Sequence, residues 1–368
     1  MTSALIIGGG IMGCTIALRL VQAGLKVTIL ERSIPGAEAS SAAAGMLAPQ
    51  MEADGEGPFF ELCMKSRALY PDFARELEEI SGMRVDYLRS GLLQVAFDDE
   101  ALQAARQTVA WQQRLGLRAA LLDGDDARAL EPELSRHALG AAWFQDDHQI
   151  DNRLVVRAVS MAAARVGARF RTGNVRGVVE EHGRVIGVDL DGTVERADHV
   201  ILAAGTWSGL VHGAPLDPRT IRPARGQMVT LRTRIPPFKT LLKGPGGYLV
   251  PRADGRVICG TTMEFAGFEK QVTARGLMRL LEMAIRLCPV LEGAEVGEHW
   301  AGLRPYTEDR LPIIGPGPVP GLFLATGHFR NGILLAPVTA ALVTAELTGS
   351  APPVDLAPFR LDRFRPAG

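Results

Sequence analysis

A run of glycines between two apolar segments constrains the fold of this chain more than any other feature. Residues 4–7 form a short apolar run that predicts a buried strand, and apolar residues then recur at helical spacing up to Gly24. Gly8, Gly10 and Gly13 stand between them in the order G-x-G-x-x-G. In this setting the first glycine allows a tight turn, the second lets backbone approach a pyrophosphate, and the third lets the helix pack closely on the sheet. The pattern predicts a Rossmann-type unit that binds a dinucleotide.

Glu31 ends the next apolar run, 18 residues after Gly13, where a carboxylate accepts hydrogen bonds from ribose hydroxyls. Its charge also disfavours a 2′-phosphate, which argues against NADP. The glycine pattern alone does not separate NAD from FAD. The small-residue stretch Ser40–Met46 favours the longer flavin dinucleotide, with Ser40 and Ser41 as donors to phosphate. An ordinary alanine-rich turn explains the same composition and stays open as the alternative.

Composition and charge narrow the class of protein. A chain of 368 residues exceeds the usual size of one hydrophobic core, and 47% hydrophobic with 22% charged residues is typical of a folded globular protein. The net charge of −1 gives no one-sided field for nucleic acid or an anionic membrane. None of the four cysteines forms a CxxC pair, which disfavours a metal site and indicates reduced thiols of a cytoplasmic protein.

Two apolar stretches require a test as membrane segments. The first residues lack the basic region of a signal peptide, and the glycines interrupt their apolar run. Residues 332–347 are too few to span a bilayer and include Pro337. We therefore expect no membrane partner, and a buried last helix that begins near residues 331–333 with Pro337 close to its first turn.

The order of predicted elements indicates an α/β fold with two domains. Parallel-type strands occur near both ends and in the middle, with mixed material between them. We predict a discontinuous Rossmann-type FAD-binding domain and an α+β substrate-binding domain with an antiparallel sheet. The former comprises residues 1–80, 150–220 and 300–368, and the latter residues 81–149 and 221–299. Helices are predicted at 152–166, capped by Asp151 or Asn152, and at 274–287.

Longer motifs identify a family resemblance over nearly the whole chain. They are ALIIGGGIMGCTIALRL, ERSIPGAEASSAAAGMLAPQ, AAGTWS, RPARGQM, GGYLVPR, LRPYTEDRLPIIG and TGHFRNGILLAP. These resemble the D-amino-acid-oxidase-type FAD-dependent oxidoreductases, most narrowly the glycine oxidases of thiamine biosynthesis. The resemblance implies noncovalent FAD, a small amine substrate, hydride transfer from Cα to flavin N5, and O₂ reduced to H₂O₂. Glycine would yield glyoxylate and ammonia. A homotetramer is implied on the same ground.

The resemblance also assigns roles to individual residues. Arg304 would bind the substrate carboxylate together with Tyr248, Met263 would line the substrate pocket, and Arg330 would lie at its mouth beside the flavin. Val175 would meet the adenine through its backbone. The residues expected to bind FAD are Gly8, Gly10, Ile11, Met12, Gly13, Glu31, Arg32, Ser40, Ser41, Ala43, Ala44, Gly45, Met46, Val175, Ala204, Gly205, Trp207, His328, Arg330, Asn331, Gly332, Ile333 and Leu334.

Two departures from the family pattern matter. Gly246 stands where a glycine oxidase can carry a histidine at the pocket entrance, which changes the expected size of the entrance. Near Arg304 there is no cysteine of the kind that attaches flavin covalently in sarcosine oxidases. We expect no side-chain base, because a neutral amine drives hydride loss with its own lone pair, and we expect His328 to form hydrogen bonds rather than transfer protons.

Plainer interpretations of these residues remain open at the level of sequence. Arg304 and Arg330 suit structural ion pairs, Tyr248 suits a strand aromatic, and Met263 suits core filling. Two other functions also remain: a D-amino-acid dehydrogenase that passes electrons to a quinone or partner protein, and a flavoprotein subunit of a glycine-oxidising complex such as those that form hydrogen cyanide.

Overall fold

A computed structural model describes residues 2–364 of the chain. Its strands, in chain order, are β1 Ser3–Ile7, β2 Lys26–Glu31, β3 Met46–Leu47, β4 Leu92–Ala96, β5 Ala119–Asp123, β6 Gly140–Phe144, β7 His148–Gln149, β8 Arg169–Thr172, β9 Val175–Glu181, β10 Arg184–Leu190, β11 Thr193–Arg196, β12 His199–Leu202, β13 Arg222–Arg232, β14 Leu241–Gly244, β15 Gly247–Pro251, β16 Arg256–Gly260, β17 Glu295–Tyr306, β18 Ile313–Pro316 and β19 Leu322–Thr326.

The α-helices lie between these strands and after the last of them. They are α1 Ile11–Gln22, α2 Ala39–Ala42, α3 Pro49–Glu52, α4 Pro58–Ser81, α5 Asp99–Arg114, α6 Gly124–Leu130, α7 Asn152–Val166, α8 Ala274–Leu287 and α9 Gly332–Thr348. The predicted helices at 152–166 and 274–287 are confirmed with these bounds. At the start of α7 the Asp151 carboxylate accepts from two backbone N–H groups, and Gly167 ends the helix in a left-handed conformation.

Six strands of the described residues form one sheet in the order β18-β19-β12-β1-β2-β8. The pairs are parallel except β18 with β19. Ile6 of β1 lies between Ile201 and Ile29 of the neighbouring strands, so both edges of β1 are paired. Strands buried on both faces are apolar throughout, which is why the short runs at residues 4–7 and 199–202 were recognisable from sequence.

Each face of this sheet packs against a different layer. On one face, Ile6 and Ile29 join an apolar core with helices α1, α4, α7 and α9. On the other face, Leu5 and Leu202 pack against Val188 and its neighbours in a three-stranded sheet of β9, β10 and β11. The order of layers is thus small sheet, large sheet, helices.

A second large sheet runs β17-β13-β16-β15-β14-β4-β6-β5 among the described residues. It is antiparallel except for one parallel pair, β4 with β14, so the predicted antiparallel sheet is in fact mixed. Strand β14 comes from the segment after residue 221 and adds to the β4 edge of the earlier strands β4, β6 and β5. Strand β17 runs through the domain boundary proposed between residues 299 and 300, and it belongs to this sheet along its length.

The last helix differs from its prediction in one detail. It begins at Gly332, as expected, but Pro337 lies in the second turn rather than the first. A proline there removes the N–H that would bond the Ile333 carbonyl. Tyr70 and Ser66 of α4 compensate by donating their hydroxyls to the carbonyls of Ile333 and Leu334. Within residues 2–364, no helix combines the length and apolar character that a membrane crossing requires.

Candidate cofactor and substrate site

A cavity of about 810 Å³ extends from the glycine-rich turn to the face of the second large sheet. It lies at the carboxyl ends of β1, β2 and β12, the edge where open α/β sheets bind their ligands. Predicted site residues that line it are Gly8, Gly10, Ile11, Met12, Glu31, Arg32, Ser40, Ala43, Ala44, Gly45, Met46, Val175, Ala204, Gly205, Trp207, Tyr248, Arg304, His328, Arg330, Asn331, Gly332 and Ile333. One cavity therefore contains most of the residues that the sequence selected.

The glycine-rich turn requires glycine for steric reasons. Gly8 has φ +106°, and a Cβ built on it would lie 2.6 Å from the Ala203 carbonyl oxygen. A Cβ on Gly13 would lie 1.9 Å from the Gly8 oxygen. No side chain caps α1 at Gly10, and the N–H of Ile11 bonds the Ser40 hydroxyl at 3.0 Å. The start of α1 thus presents the backbone of Gly10 and Met12, together with the Ser40 hydroxyl, to the cavity, and such donors suit a pyrophosphate.

Glu31 lies where β2 meets the cavity. Its carboxylate accepts from the N–H of Gly9 at 2.8 Å and from the N–H of Ser33 at 3.0 Å. Arg32, the next residue, stacks 4.0 Å from the centre of the Trp207 ring. These contacts fix the direction of the carboxylate beside the glycine turn, at the end of β2, where dinucleotide-binding sheets carry the acidic residue that accepts hydrogen bonds from ribose hydroxyls.

The small-residue stretch is held in place by side chains from elsewhere in the chain. The Asn152 amide donates to the carbonyls of Ser40 and Ser41 at 2.9 and 3.0 Å. Gly45 has φ +73°, and a Cβ there would lie 2.0 Å from the Ile150 oxygen. The stretch is therefore a fixed wall of the cavity and not a free loop.

Arg252 adds a buried anchor to the same wall. Its guanidinium donates to the Ala44 carbonyl at 2.7 Å and to the Gln149 side chain at 2.8 Å, and it lies 3.7 Å from the Asp151 carboxylate. Burial lowers the pKa of Arg252 to about 10, and the Asp151 charge opposes that shift. Arg252 follows β15, so the second large sheet is bonded directly to the cofactor side of the cavity.

At the opposite end, Arg304 projects from β17 into the cavity. Its guanidinium donates to the Thr261 hydroxyl and, at 3.3 Å, to the Thr262 carbonyl. No carboxylate lies within 4 Å of it in the part of the chain that the structure describes. Burial lowers its pKa. Gly226 of β13 makes room for it, because a Cβ there would lie 2.0 Å from Arg304 Nη2.

Tyr248 of β15 is the second polar group at this end. Its hydroxyl lies 3.9 Å from the sulfur of Met228, a weak acceptor. Burial raises the pKa of Tyr248 to about 12, and the positive charge of Arg304 opposes the shift. The phenol therefore stays protonated at neutral pH and can donate a hydrogen bond to an acid group.

Glu52 and Lys243, two charged residues that the sequence did not single out, also line this end. The Arg330 guanidinium lies 2.6 Å from the Glu52 carboxylate. Lys243 of β14 is the register partner of Tyr248, and burial lowers its pKa. No motif marks either residue, because α3 and β14 become neighbours only in the folded chain. The Arg330 side chain lines the cavity and is 44% exposed.

His328 is buried on the cofactor side of this region. Its Nε2 lies 3.0 Å from the Thr339 hydroxyl, and burial lowers its pKa to about 3. The imidazole is therefore neutral across the physiological range. A neutral, hydrogen-bonded imidazole suits a structural part of the cavity wall better than a proton carrier.

Four residues of the predicted site do not line the cavity. Gly13 lies behind the glycine turn, where it lets the helix approach the strand. The Ser41 hydroxyl donates to the carbonyl of Glu38, just before α2, and Leu334 is buried in the helical core. Met263 is 49% exposed, because β16 ends at Gly260 and the chain has left the sheet before it.

The chain belongs to the FAD dependent oxidoreductase family (DAO), whose pattern it matches over residues 3–346. It is therefore an FAD-dependent oxidoreductase. Among its relatives, the glycine oxidase of Geobacillus kaustophilus is 34% identical over 97% of this chain and 96% of that protein. The crystal structure of glycine oxidase from that organism superposes with a TM-score of 0.94 at 33% identity and covers all of both chains. The predicted α/β fold is confirmed.

Two further relatives differ in assembly. The bifunctional protein ThiO/ThiG of Synechocystis sp. is 41% identical over 93% of this chain and 51% of that protein, so the chain spans about half of that relative's length. Hydrogen cyanide synthase subunit HcnC of Pseudomonas aeruginosa is 32% identical over 98% of this chain and 96% of that protein. The chain is thus similar to glycine oxidases and to about half of a bifunctional ThiO/ThiG protein.

The residues present fit FAD. A Cβ at Gly8 or Gly45 would collide with backbone, the residue before α1 is the glycine Gly10, and a carboxylate ends β2. At the far end, Arg304, Lys243 and Tyr248 add side-chain donors to the lining. The cavity therefore has backbone amides at one end and charged and hydroxyl side chains at the other.

Proposed function

We propose that this chain oxidises glycine and other small amines or D-amino acids, with noncovalently held FAD as cofactor and O₂ as electron acceptor. The products would be H₂O₂, ammonia and a keto acid, which is glyoxylate when glycine is the substrate. The observation that carries the proposal is the Arg304 guanidinium, which lies in the cavity without a carboxylate partner in residues 2–364 and next to the Tyr248 phenol. A desolvated guanidinium of this kind requires an acid from outside the chain.

Distinct parts of the cavity would hold the cofactor. The backbone of residues 10–12 would bind the pyrophosphate, Glu31 the ribose and the Val175 backbone the adenine. Residues 328–333 would face the flavin ring, with the first amides of α9 directed at it. When bound, FAD supplies the acceptor for two electrons and a hydride. Everything else in the reaction depends on how the chain binds and orients the amine.

Arg304 and Tyr248 would fix the direction of the substrate. A guanidinium binds a carboxylate through two parallel hydrogen bonds, which sets orientation as well as affinity. The Tyr248 hydroxyl, protonated because burial raises its pKa to about 12, would donate a further bond. Holding Cα at one place in this way is the main rate advantage that such a pocket provides.

No side chain is proposed as a base. His328 lines the cavity beside the start of α9, shares a hydrogen bond with Thr339, and has its pKa lowered to about 3 by burial. Tyr248 is held protonated. An amine bound in its neutral form would therefore lose hydride with help from its own lone pair.

Noncovalent attachment of FAD is supported by the cysteines. Cys14, Cys63, Cys259 and Cys288 are all buried free thiols, and none lines the cavity within the described residues. Burial raises the pKa of the Cys14 thiol to about 12. The flavin should therefore separate from the denatured chain. A homotetramer is proposed on family resemblance alone, and a cytoplasmic location on the free thiols.

The decisive experiment is anaerobic reduction of the flavin by a panel of amines. Purified holoenzyme is mixed with glycine, sarcosine, D-alanine or D-proline without oxygen, and the flavin absorption is followed. We expect bleaching by glycine and by at least one other member of the panel. A spectrum that none of them changes would remove the oxidase proposal.

Aerobic assays separate the two alternatives. A dehydrogenase would reduce an artificial dye strongly under nitrogen while producing little H₂O₂ in air. The relationship to a hydrogen cyanide synthase subunit supports the second alternative, a flavoprotein subunit. Copurification with other chains, together with no bleaching of the isolated protein by glycine, would favour that one.

A further inference from the structure

Lys243 is a cation in the cavity that the proposed reaction does not use. It lies on β14 directly opposite Tyr248 of β15, and opposed residues of antiparallel strands project on the same face. Its ammonium group donates to the Gly244 carbonyl at 2.8 Å. No carboxylate lies within 4 Å of it in residues 2–364, although it lines the cavity and burial lowers its pKa.

The charges around the substrate end do not balance. Arg304, Arg330 and Lys243 are cationic, and Glu52 is the acid that faces them. Glu52 pairs with Arg330 at 2.6 Å. Arg304 and Lys243 therefore line the same cavity as two cations, and neither has a carboxylate within 4 Å in residues 2–364. A zwitterion such as glycine brings one carboxylate and satisfies only one of these cations.

Space for a larger substrate lies beside Lys243. Gly246, in the turn between β14 and β15, lines the cavity. A Cβ built on it would meet nothing closer than Met283 Cγ at 3.9 Å. The entrance is thus open at the position where the family pattern allows a histidine. A second acid group on the substrate would have both room and a partner there.

We propose that Lys243 forms a second acid subsite, so that the preferred substrates are small amino diacids rather than monoacids. One carboxylate would bind Arg304 and Tyr248, and the other would bind the Lys243 ammonium. This inference rests on the proposed function, since it names the substrate class of the same cavity. Lys243 would act on substrate choice by charge and would take no part in the electron transfer.

Binding of compounds that cannot be oxidised tests the subsite without turnover. Diglycolate is iminodiacetate with oxygen in place of nitrogen, and methoxyacetate is the matching monoacid. Each is titrated into the holoenzyme while the flavin absorption is followed. We expect diglycolate to bind at least roughly tenfold tighter than methoxyacetate. Equal affinities in the wild-type protein would overturn the proposal.

Variants then locate the preference. Lys243→Gln should bring the affinity ratio close to one, whereas Lys243→Arg, which keeps the charge, should retain it. Lys239→Gln is the matched control, because Lys239 is an exposed lysine outside the cavity and the change in net charge is the same. An affinity ratio unaltered by Lys243→Gln would also overturn the proposal.

Turnover separates this inference from the proposed function. The ratio of kcat/KM for iminodiacetate over sarcosine is measured in the wild-type protein and in Lys243→Gln, and we expect it to fall by roughly tenfold. Oxidation of sarcosine with no preference for the diacid would refute only the subsite. If no amine reduced the flavin while diglycolate still bound in a Lys243-dependent way, the oxidase proposal would fail and the subsite would stand.

Discussion

The hydroxyl of Tyr70 donates to the carbonyl of Ile333, the acceptor that Pro337 leaves without a backbone donor in the last helix. Ser66, one turn earlier in α4, donates its hydroxyl to the next carbonyl of α9, that of Leu334, at 2.6 Å. All these groups are buried. The start of α9, which lines the flavin side of the cavity, is therefore stabilised by a neighbouring helix and not by its own hydrogen bonds alone.

We expect Tyr70→Phe to lower the free energy of unfolding by ~1–3 kcal/mol, because it leaves a buried carbonyl unsatisfied. Chemical denaturation measures the change. In the Tyr70→Phe background, Pro337→Ala restores an N–H at the right place and should recover part of the loss. A double variant no more stable than Tyr70→Phe alone would contradict this account.

Arg304→Ala should lower kcat/KM for glycine by a factor that corresponds to a loss of ~2–5 kcal/mol in transition-state stabilisation. This is the usual cost of removing one member of a buried charge pair. Steady-state kinetics with glycine and sarcosine test it. The exposed Arg279 of α8 provides a control with the same change in charge, and Arg279→Ala should have wild-type kinetics. Wild-type kcat/KM in Arg304→Ala would exclude the carboxylate clamp.

Gly226→Ala should weaken the same clamp without touching the substrate. The new methyl group would lie 2.0 Å from Arg304 Nη2, so the end of that flexible side chain must move. We expect a higher KM for glycine and an almost unchanged free energy of unfolding. Gly293→Ala is the control, since a Cβ there meets nothing within 4 Å. An unaltered KM would mean that the guanidinium position is unimportant.

Glu31→Ala should weaken FAD retention. The carboxylate is fixed by the N–H groups of Gly9 and Ser33, and a hydrogen bond to a charged group contributes ~1.5–3 kcal/mol. The flavin content of the purified variant and its dissociation constant for FAD are the measurements. The exposed Glu180→Ala serves as control. Normal flavin content in Glu31→Ala would refute the ribose role.

The buried, neutral state of His328 should lower the free energy of unfolding in acid. Burial lowers the pKa of His328 from 6.5 to about 3. Between pH 6.5 and pH 3, the imidazole is therefore protonated in the unfolded chain and neutral in the folded chain. Stability from this residue is present above pH 6.5 and is lost as the pH falls, by ~1.4 kcal/mol for each unit. His328→Gln should remove that part of the slope, and the exposed His137→Gln should not.

Wild-type and variant must be compared at each pH, because another buried group acts in the opposite sense. Burial raises the pKa of Asp147 from 3.8 to about 7. Its contribution is present at low pH and is lost as the pH rises towards 7. The difference between the two unfolding free energies isolates His328. A difference that stays constant from pH 7 to pH 5 would contradict the prediction.

Local signals explain which elements could be predicted from sequence. The helix at 152–166 has an acidic cap, a regular apolar stripe and a terminal glycine, so its bounds followed directly. Strand β17 was not predicted, because its first half is largely exposed and carries no apolar alternation. That strand is defined by its partner β13, which lies more than sixty residues earlier, and pairing at such distance leaves little trace in a single sequence.

The same division applies to the site. The glycine turn and Glu31 could be predicted because backbone geometry demands those residues at that spacing. Arg304 and Tyr248 were identified only through family resemblance, since an arginine beside a proline and a tyrosine in a strand are ordinary residues. Glu52 and Lys243 gave no signal, because the contacts that make them significant exist only after the two large sheets have formed.

The Arg252 anchor has a consequence for how reactants reach the centre. The buried Arg252 guanidinium joins the second large sheet to the carbonyl of Ala44 and the side chain of Gln149, so separating the two sheets would break these hydrogen bonds at every turnover. We therefore expect substrate and product to pass through the entrance of the cavity while the two large sheets stay in contact. We expect the rate of substrate entry and product release to depend on small movements at that entrance, and not on a hinge between the sheets.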